Sequence, residues 1–320
     1  MSNEEIVELL QQDIQGEHQA IVMYLLHAYA LGEGAVAAEI EAIAREEMRH
    51  MDWLADKIVG LGAKPTMEPA PIDLSVAPPS LQMLKDVALE DGAIRQYRAH
   101  IEAIPDPGIR IVLSRILHDE LQHREKFVKL SEETQGMPGV IAEVNAAGGK
   151  PGERLEGILN QGIAHEYTVT LQYLFHGFMT RSKELAEDWQ DIAVNEMQHI
   201  GWLAEALASR GGHPDFSHSE LALADDEETN LKSDIAVERE VTQAYSKQIP
   251  ELEDPGLAAL VERIRDHEIF HEEQFSGLLA KVEVEEHATE ESCAQEPAVE
   301  EPCAKPQSQP QIPSVGSLKN

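Results

Sequence analysis

Four short stretches of this chain place a glutamate three residues before a histidine: Glu47 and His50, Glu120 and His123, Glu196 and His199, Glu268 and His271. On a helix, residues three apart project from one face, one turn above the other. A Glu and a His so placed can ligate a metal cation or exchange a proton. One such pair means little, because charged residues usually occupy the solvated face of a helix. Four copies at ordered intervals need a common cause.

The intervals supply it. Glu17, Tyr24, Glu47, Met48, His50 and Trp53 recur 149 positions later as Glu166, Tyr173, Glu196, Met197, His199 and Trp202. Glu90, Tyr97, Asp106, Glu120 and His123 recur 148 positions later as Glu238, Tyr245, Asp254, Glu268 and His271. The chain reads as a tandem duplication with one residue lost between the two blocks.

The elements that must carry these residues are helices. Ser2 and Glu5 form a capping box, and Ile6, Leu10, Ile14, Ile21 and Leu25 follow at helical spacing until Gly32. A second helix is expected over about 35–59, stopped by Gly60-Leu61-Gly62. A Pro-rich stretch, 64–79, is long for a helix hairpin and reads as a crossover. Helices over about 80–105 and 106–134 complete the half, the last opened by Asp106 as N-cap and Pro107 at the first position. After a Gly/Pro-rich linker, 136–152, the programme repeats: helices at about 153–179 and 182–209, a crossover at 213–228, a helix at 230–248, and another opened by Asp254-Pro255-Gly256. The expected fold is all-α: two tandem four-helix bundles over 1–135 and 153–284. An acidic, Pro-rich, disordered tether (285–311) and a short apolar terminus (312–320) follow.

Composition narrows the function. The 320 residues carry 59 acidic and 25 basic side chains, a formal net charge of -34. That argues against nucleic acid or an anionic membrane as partner and favours cations. No apolar run reaches the length of a membrane span, and the first residues lack a secretory signal. Cys293 and Cys303 are the only cysteines. A disulfide-built fold is excluded, and a cytoplasmic setting is expected.

In a four-helix bundle Glu17, Glu47, Glu90 and Glu120 fall at one level. Glu17 lies between Ile14 and Ile21, and Glu90 on an otherwise apolar face. Four carboxylates and two imidazoles in a dry core would cost several kcal/mol per uncompensated charge, and bound cations are the usual resolution. One Glu from each of two helices plus Glu-x-x-His from the other two is the ligand pattern of di-iron or di-manganese carboxylate bundles. The first set is Glu17, Glu47, His50, Glu90, Glu120 and His123; the second is Glu166, Glu196, His199, Glu238, Glu268 and His271. Glu47 and Glu120, with Glu196 and Glu268, are the candidates to bridge two metals. One imidazole per metal suits iron or manganese, and the sequence does not choose between them.

The stretch from Glu17 to His27, with its counterpart from Glu166 to His176, resembles the first-helix motif of bacterioferritins. Glu47-Met48-Arg49-His50 and Glu196-Met197-Gln198-His199 resemble the second. The resemblance covers about residues 2–281. It implies ferroxidase chemistry, in which dioxygen or peroxide oxidises Fe(II), with Tyr24 and Tyr173 beside the metals. It also implies that Met48 and Met197 ligate haem b. Each follows a ligand Glu by one residue, which turns it about 100° away from the bundle centre. Two departures stand out: no short fifth helix follows Lys281, and Glu46 keeps an acid that Asn195 has lost. The terminal Ile312, Val315, Gly316, Ser317 and Leu318 resemble the targeting peptide of encapsulin cargo, implying a shell partner and residence inside a nanocompartment. A homo-oligomer is compatible with this reading. A peroxide-removing enzyme of the rubrerythrin or manganese-catalase kind and a non-catalytic iron or haem store remain as alternatives, although no Cys-x-x-Cys pair exists for a rubredoxin-type iron.

Overall fold

Helix ends follow their capping chemistry. In the computed structural model, which describes residues 1–73, 75 and 77–295 (side chains to 284), α1 (Asn3–Leu31) starts from the Ser2–Glu5 capping box. After α2 (Ala35–Gly60) and α3 (Pro79–Ala103), α4 (Pro107–Glu133) opens with the Asp106 carboxylate accepting from the Ile109 N–H at 2.9 Å. The second half repeats the order as α6 (Glu153–Met179), α7 (Lys183–Ala208), α8 (Glu227–Gln248) and α9 (Pro255–Gln295). Asp226 caps α8 through the Thr229 N–H, which starts that helix three residues before the expected position. Among the described residues there is no strand, and no helix is long and apolar enough to cross a membrane.

Within each half, α1 packs on α2 and α3 on α4, as α6 packs on α7 and α8 on α9. The long crossovers are held against the first helix of their own half. Gln11 and the Gln15 carbonyl bind Lys64, Thr66 and Ala70 of the first crossover. Asn160, Thr168 and Gln172 bind His213, Asp215, Ser219 and Ala222 of the second. Polar groups one or two turns apart along the first helix thus satisfy backbone groups that have no regular partner.

The halves meet through α1 and α2 on one side and α6 and α7 on the other. One apolar cluster runs across that contact, joining Ile21, Val22 and Met51 to Leu171 and Ile200. His18 Nε2 lies 2.5 Å from the Tyr167 hydroxyl, and these residues are 149 apart. Equivalent positions that touch lie on the axis relating the halves, so the duplication packs as a pseudo-two-fold dimer.

Two elements depart from expectation. The linker is not all loop: it contains α5 (Val140–Ala146), whose Ile141 is buried. Gly139 approaches the Ala30 carbonyl so closely, at φ 76°, that an added Cβ would sit 3.1 Å from the oxygen; a glycine here lets the strap close onto α1. α9 continues to Gln295, eleven residues past 284, because no Gly or Pro interrupts the chain between Gly277 and Pro297. The segment expected to act in targeting, with Ile312, Val315, Gly316, Ser317 and Leu318, lies outside the described residues.

Candidate metal centres

The helical register brings the predicted residues of each half to one level of its bundle. All twelve side chains are 3% exposed or less. In the first half, His50 Nδ1 lies 2.8 Å from Glu47, 3.1 Å from Glu120 and 3.3 Å from Glu17. His123 Nδ1 lies 2.9 Å from the other Glu47 oxygen and 3.9 Å from Glu90. The second half repeats this. His199 Nδ1 is 2.7 Å from Glu196, 3.0 Å from Glu268 and 3.5 Å from Glu166, and His271 Nδ1 is 2.8 Å from Glu196.

The donors converge in pairs of groups. Glu17, Glu47, His50 and Glu120 form one, and Glu47, Glu90, Glu120 and His123 the other; the donor atoms of each lie within 4.8 Å of one another. Glu47 and Glu120 belong to both, and Glu196 and Glu268 are shared likewise in the second half. Each group offers one imidazole, one private carboxylate and two shared ones, a donor set suited to iron or manganese. Neither Glu47 oxygen accepts a hydrogen bond, although both lie beside imidazole nitrogens. Glu120 Oε1, Glu196 Oε1 and Glu268 Oε1 are also buried without a hydrogen-bond partner. Orphaned buried acceptors aimed at common points fit a pair of cations.

Around the donors lies a ring of partners that sequence reasoning only half saw. Tyr24 donates to Glu90 and Tyr173 to Glu238, each at 2.5 Å. Tyr97 donates to Glu17 and Tyr245 to Glu166. Every private carboxylate is therefore held by a phenol. Burial, reinforced by nearby carboxylates, pushes all four phenols well above their usual range, so each remains a donor. Tyr97 and Tyr245 recur in register in the sequence, which was the available signal.

The outer ring nitrogens break the symmetry. His123 Nε2 meets Glu46 at 2.6 Å, and His50 Nε2 lies 3.5 Å from Asp119. In the second half His199 Nε2 meets His267 Nδ1 at 3.0 Å, while Asn195, at the position of Glu46, turns to the Asp191 carbonyl. A partner on one ring nitrogen fixes the tautomer and keeps the other free for a metal. Asp119 and His267 occupy the same repeat position with different chemistry, so recurrence could not reveal them.

Proton affinity follows from this crowding. Burial, and then the Glu47 charge, raise both Glu17 and Glu120 from 4.5 to about 8. Burial opposes ionisation of His123 and His271, but Glu47 and Glu196 lift them from 6.5 to about 9. Burial would also raise Glu47 and Glu196, yet the imidazoles beside them hold both below the usual carboxylate range. The sign for stability follows. Glu17 and Glu120 keep a proton in the folded state that the unfolded chain loses above 4.5, so their favourable contribution is complete below that pH and is lost as pH rises through about 8. The histidines behave alike between 6.5 and about 9, while the contributions of Glu47 and Glu196 are constant above 4.5. Metal-free protein should therefore lose melting temperature from pH 5 to 9, and bound divalent cation should restore most of it at the alkaline end. Calorimetry of both forms across this range checks it; a flat metal-free profile would contradict the assignment.

Met48 and Met197 both line a cavity of about 630 Å³ between the halves, together with Ile21, Leu25, Leu171 and Phe178.

The family described as Ferritin, a ferritin-like domain, matches residues 7–137 and again 156–284. A bacterioferritin of Desulfovibrio desulfuricans is 27% identical over 124 residues, covering 37% of this chain and 69% of that protein. A crystal structure of BfrA from M. tuberculosis aligns over 40% of this chain and 84% of its own, at 22% identity and a TM-score of 0.37.

Proposed function

The chain belongs to the ferritin-like domain family, twice over, and from that premise we propose that it is a ferroxidase oxidising Fe(II) to Fe(III) at two di-iron centres. The observation that carries this is the doubled set of shared and private carboxylates with one imidazole per metal position. Bound iron supplies one-electron redox chemistry towards dioxygen or peroxide. The protein's own part is positional. Glu47 and Glu120, with Glu196 and Glu268, would hold two cations side by side. The phenols of Tyr24, Tyr97, Tyr173 and Tyr245 restrain the private carboxylates. Glu17 and Glu120 release protons as cations arrive, so loading should weaken below about pH 8. Oxygen consumption on adding Fe(II) tests the reading. Peroxide disproportionation without Fe(II) turnover would favour the catalase-like alternative, and stoichiometric binding without turnover a store.

The cavity between the halves supports a haem reading. It falls within the range of small-molecule sites, about 300–1,000 Å³. It is mainly apolar and receives a thioether from each half. Haem held there would offer a one-electron relay. Protein from haem-replete cells should show a Soret band at about one haem per chain, because Met48 and Met197, one from each half, would together hold a single haem. Met48→Leu or Met197→Leu should weaken the band and leave Fe(II) oxidation largely intact; no Soret band at all would remove haem.

The cargo reading rests on the sequence of 312–320. Encapsulin shell residence would place the enzyme in a cytoplasmic nanocompartment and its product in the shell lumen.

A further inference from the structure

Besides the inter-half cavity, a second cavity, of about 240 Å³, lies between α1 and α3 of the first half. Its rim includes the exposed Gln12, and its innermost lining is Glu17 and Glu120, both ligand candidates. Small residues make the room: Gly16 and Ala20 on α1, Gly92 and Ala93 on α3. A Cβ added to Gly16 would meet nothing within 4 Å, and one on Gly92 only the end of the Arg95 side chain at 3.9 Å. Part-way down stands Asp13, one turn before Glu17. Its carboxylate is fixed by Gln96 at 2.8 Å and His100 at 2.8 Å.

The same seam in the second half is built differently. The positions of Gly16 and Ala20 carry His165 and Val169, and those of Gly92 and Ala93 carry Glu240 and Val241. Val169 and Val241 are buried in apolar clusters. A half-buried imidazole, His165, stands where the first half has only the hydrogen of Gly16. Where the first half has Asp13, the second has Gly162, and a Cβ there would lie 2.9 Å from Leu203 and 3.2 Å from the Tyr245 hydroxyl. The second seam thus lacks the buried Asp13 carboxylate and carries larger side chains where the first is open, and its own acid, Glu240, is exposed.

The geometry points to an entry passage for divalent cations between α1 and α3 that serves the first centre alone, leaving the two centres to load unequally. The inference rests on the metal-centre reading above and concerns only how cations arrive. A cleft open to water leads a cation past Asp13 to Glu17 and Glu120, which give up their protons as it binds. A seam filled by valines must open transiently before an ion can pass.

Stopped-flow binding of Co(II), followed by its visible absorption without oxygen, tests this. Wild-type protein should show two phases of similar amplitude, the first faster by about tenfold or more. Glu47→Ala/His50→Ala protein should keep only the slow phase. Gly16→His/Ala20→Val/Ala93→Val, which installs the second half's own residues, should slow the fast phase to the rate of the other. Val169→Ala/Val241→Ala, which only removes methyl groups, should accelerate the slow phase and carries the test independently. A single phase in the wild type, or rates unchanged in both the filled and the opened variants, would overturn the passage while leaving the centres standing. Absence of any cobalt band would overturn the centres and the passage with them.

Discussion

Replacing Glu47 and His50 by alanine should remove about half of the Fe(II) oxidised in a first turnover, and replacing Glu196 and His199 as well should abolish it. The size of the effect follows from sharing. Glu47 belongs to both donor groups of its half, so its loss strips a ligand from two metal positions at once. His50 is the imidazole of one of those positions and lies 2.8 Å from Glu47. Removing the pair together avoids leaving either charge buried against nothing, the costly way to break such a contact. The helices should survive, because both residues sit among well-packed neighbours such as Ala44, Met51 and Leu54. Helicity by circular dichroism, with oxygen uptake on adding Fe(II), separates lost chemistry from lost fold. Full oxidation in a folded quadruple variant would remove the site assignment.

The second large effect belongs to the end of the chain. Truncation after Gln311 should leave oxidation unchanged and prevent co-expressed encapsulin shells from taking up the protein. Ile312, Val315 and Leu318 recur at intervals of three after a stretch rich in Pro and Gln. Such side chains gain about 1.5–3 kcal/mol each only if another surface buries them. Gly316 between them permits close backbone approach to that surface. Several tails in one assembly would add through effective concentration, so modest single-site affinity suffices. Leu318→Asp should repel the protein from the shell almost as well as truncation, and residues 312–320 fused to a fluorescent protein should carry it inside. Unchanged encapsulation after truncation would show that this segment has no such role.

How far the sequence spoke depended on the kind of signal. Helices were legible because their ends carry explicit chemistry: the Ser2–Glu5 box, Asp106 before Pro107, Asp254 before Pro255. The start of α8 was placed late because Asp226 caps it from inside a stretch read as crossover. α5 was missed because its seven residues are too few for periodicity, and its stability comes from packing on α1, which no local pattern announces. The converging donor set was legible through duplication: a residue type kept in register across 149 positions marks a shared constraint. Tyr97 and Tyr245 kept register as well, but only coordinates show that their hydroxyls reach Glu17 and Glu166. What differs between the halves was the least legible. Asp119 against His267 reads as drift until each is seen beside an equivalent imidazole, and Gly16 against His165 until the cavity at Gly16 is seen.

The central claim is that each half holds two metal ions. Equilibrium titration of metal-stripped protein with Co(II) at pH 8, followed by visible absorption, tests it most directly. The account predicts a break at about four ions per chain, falling to about two in Glu47→Ala/His50→Ala and to none when Glu196 and His199 are also replaced. Saturation without a break, or a break that ignores these four replacements, would contradict it.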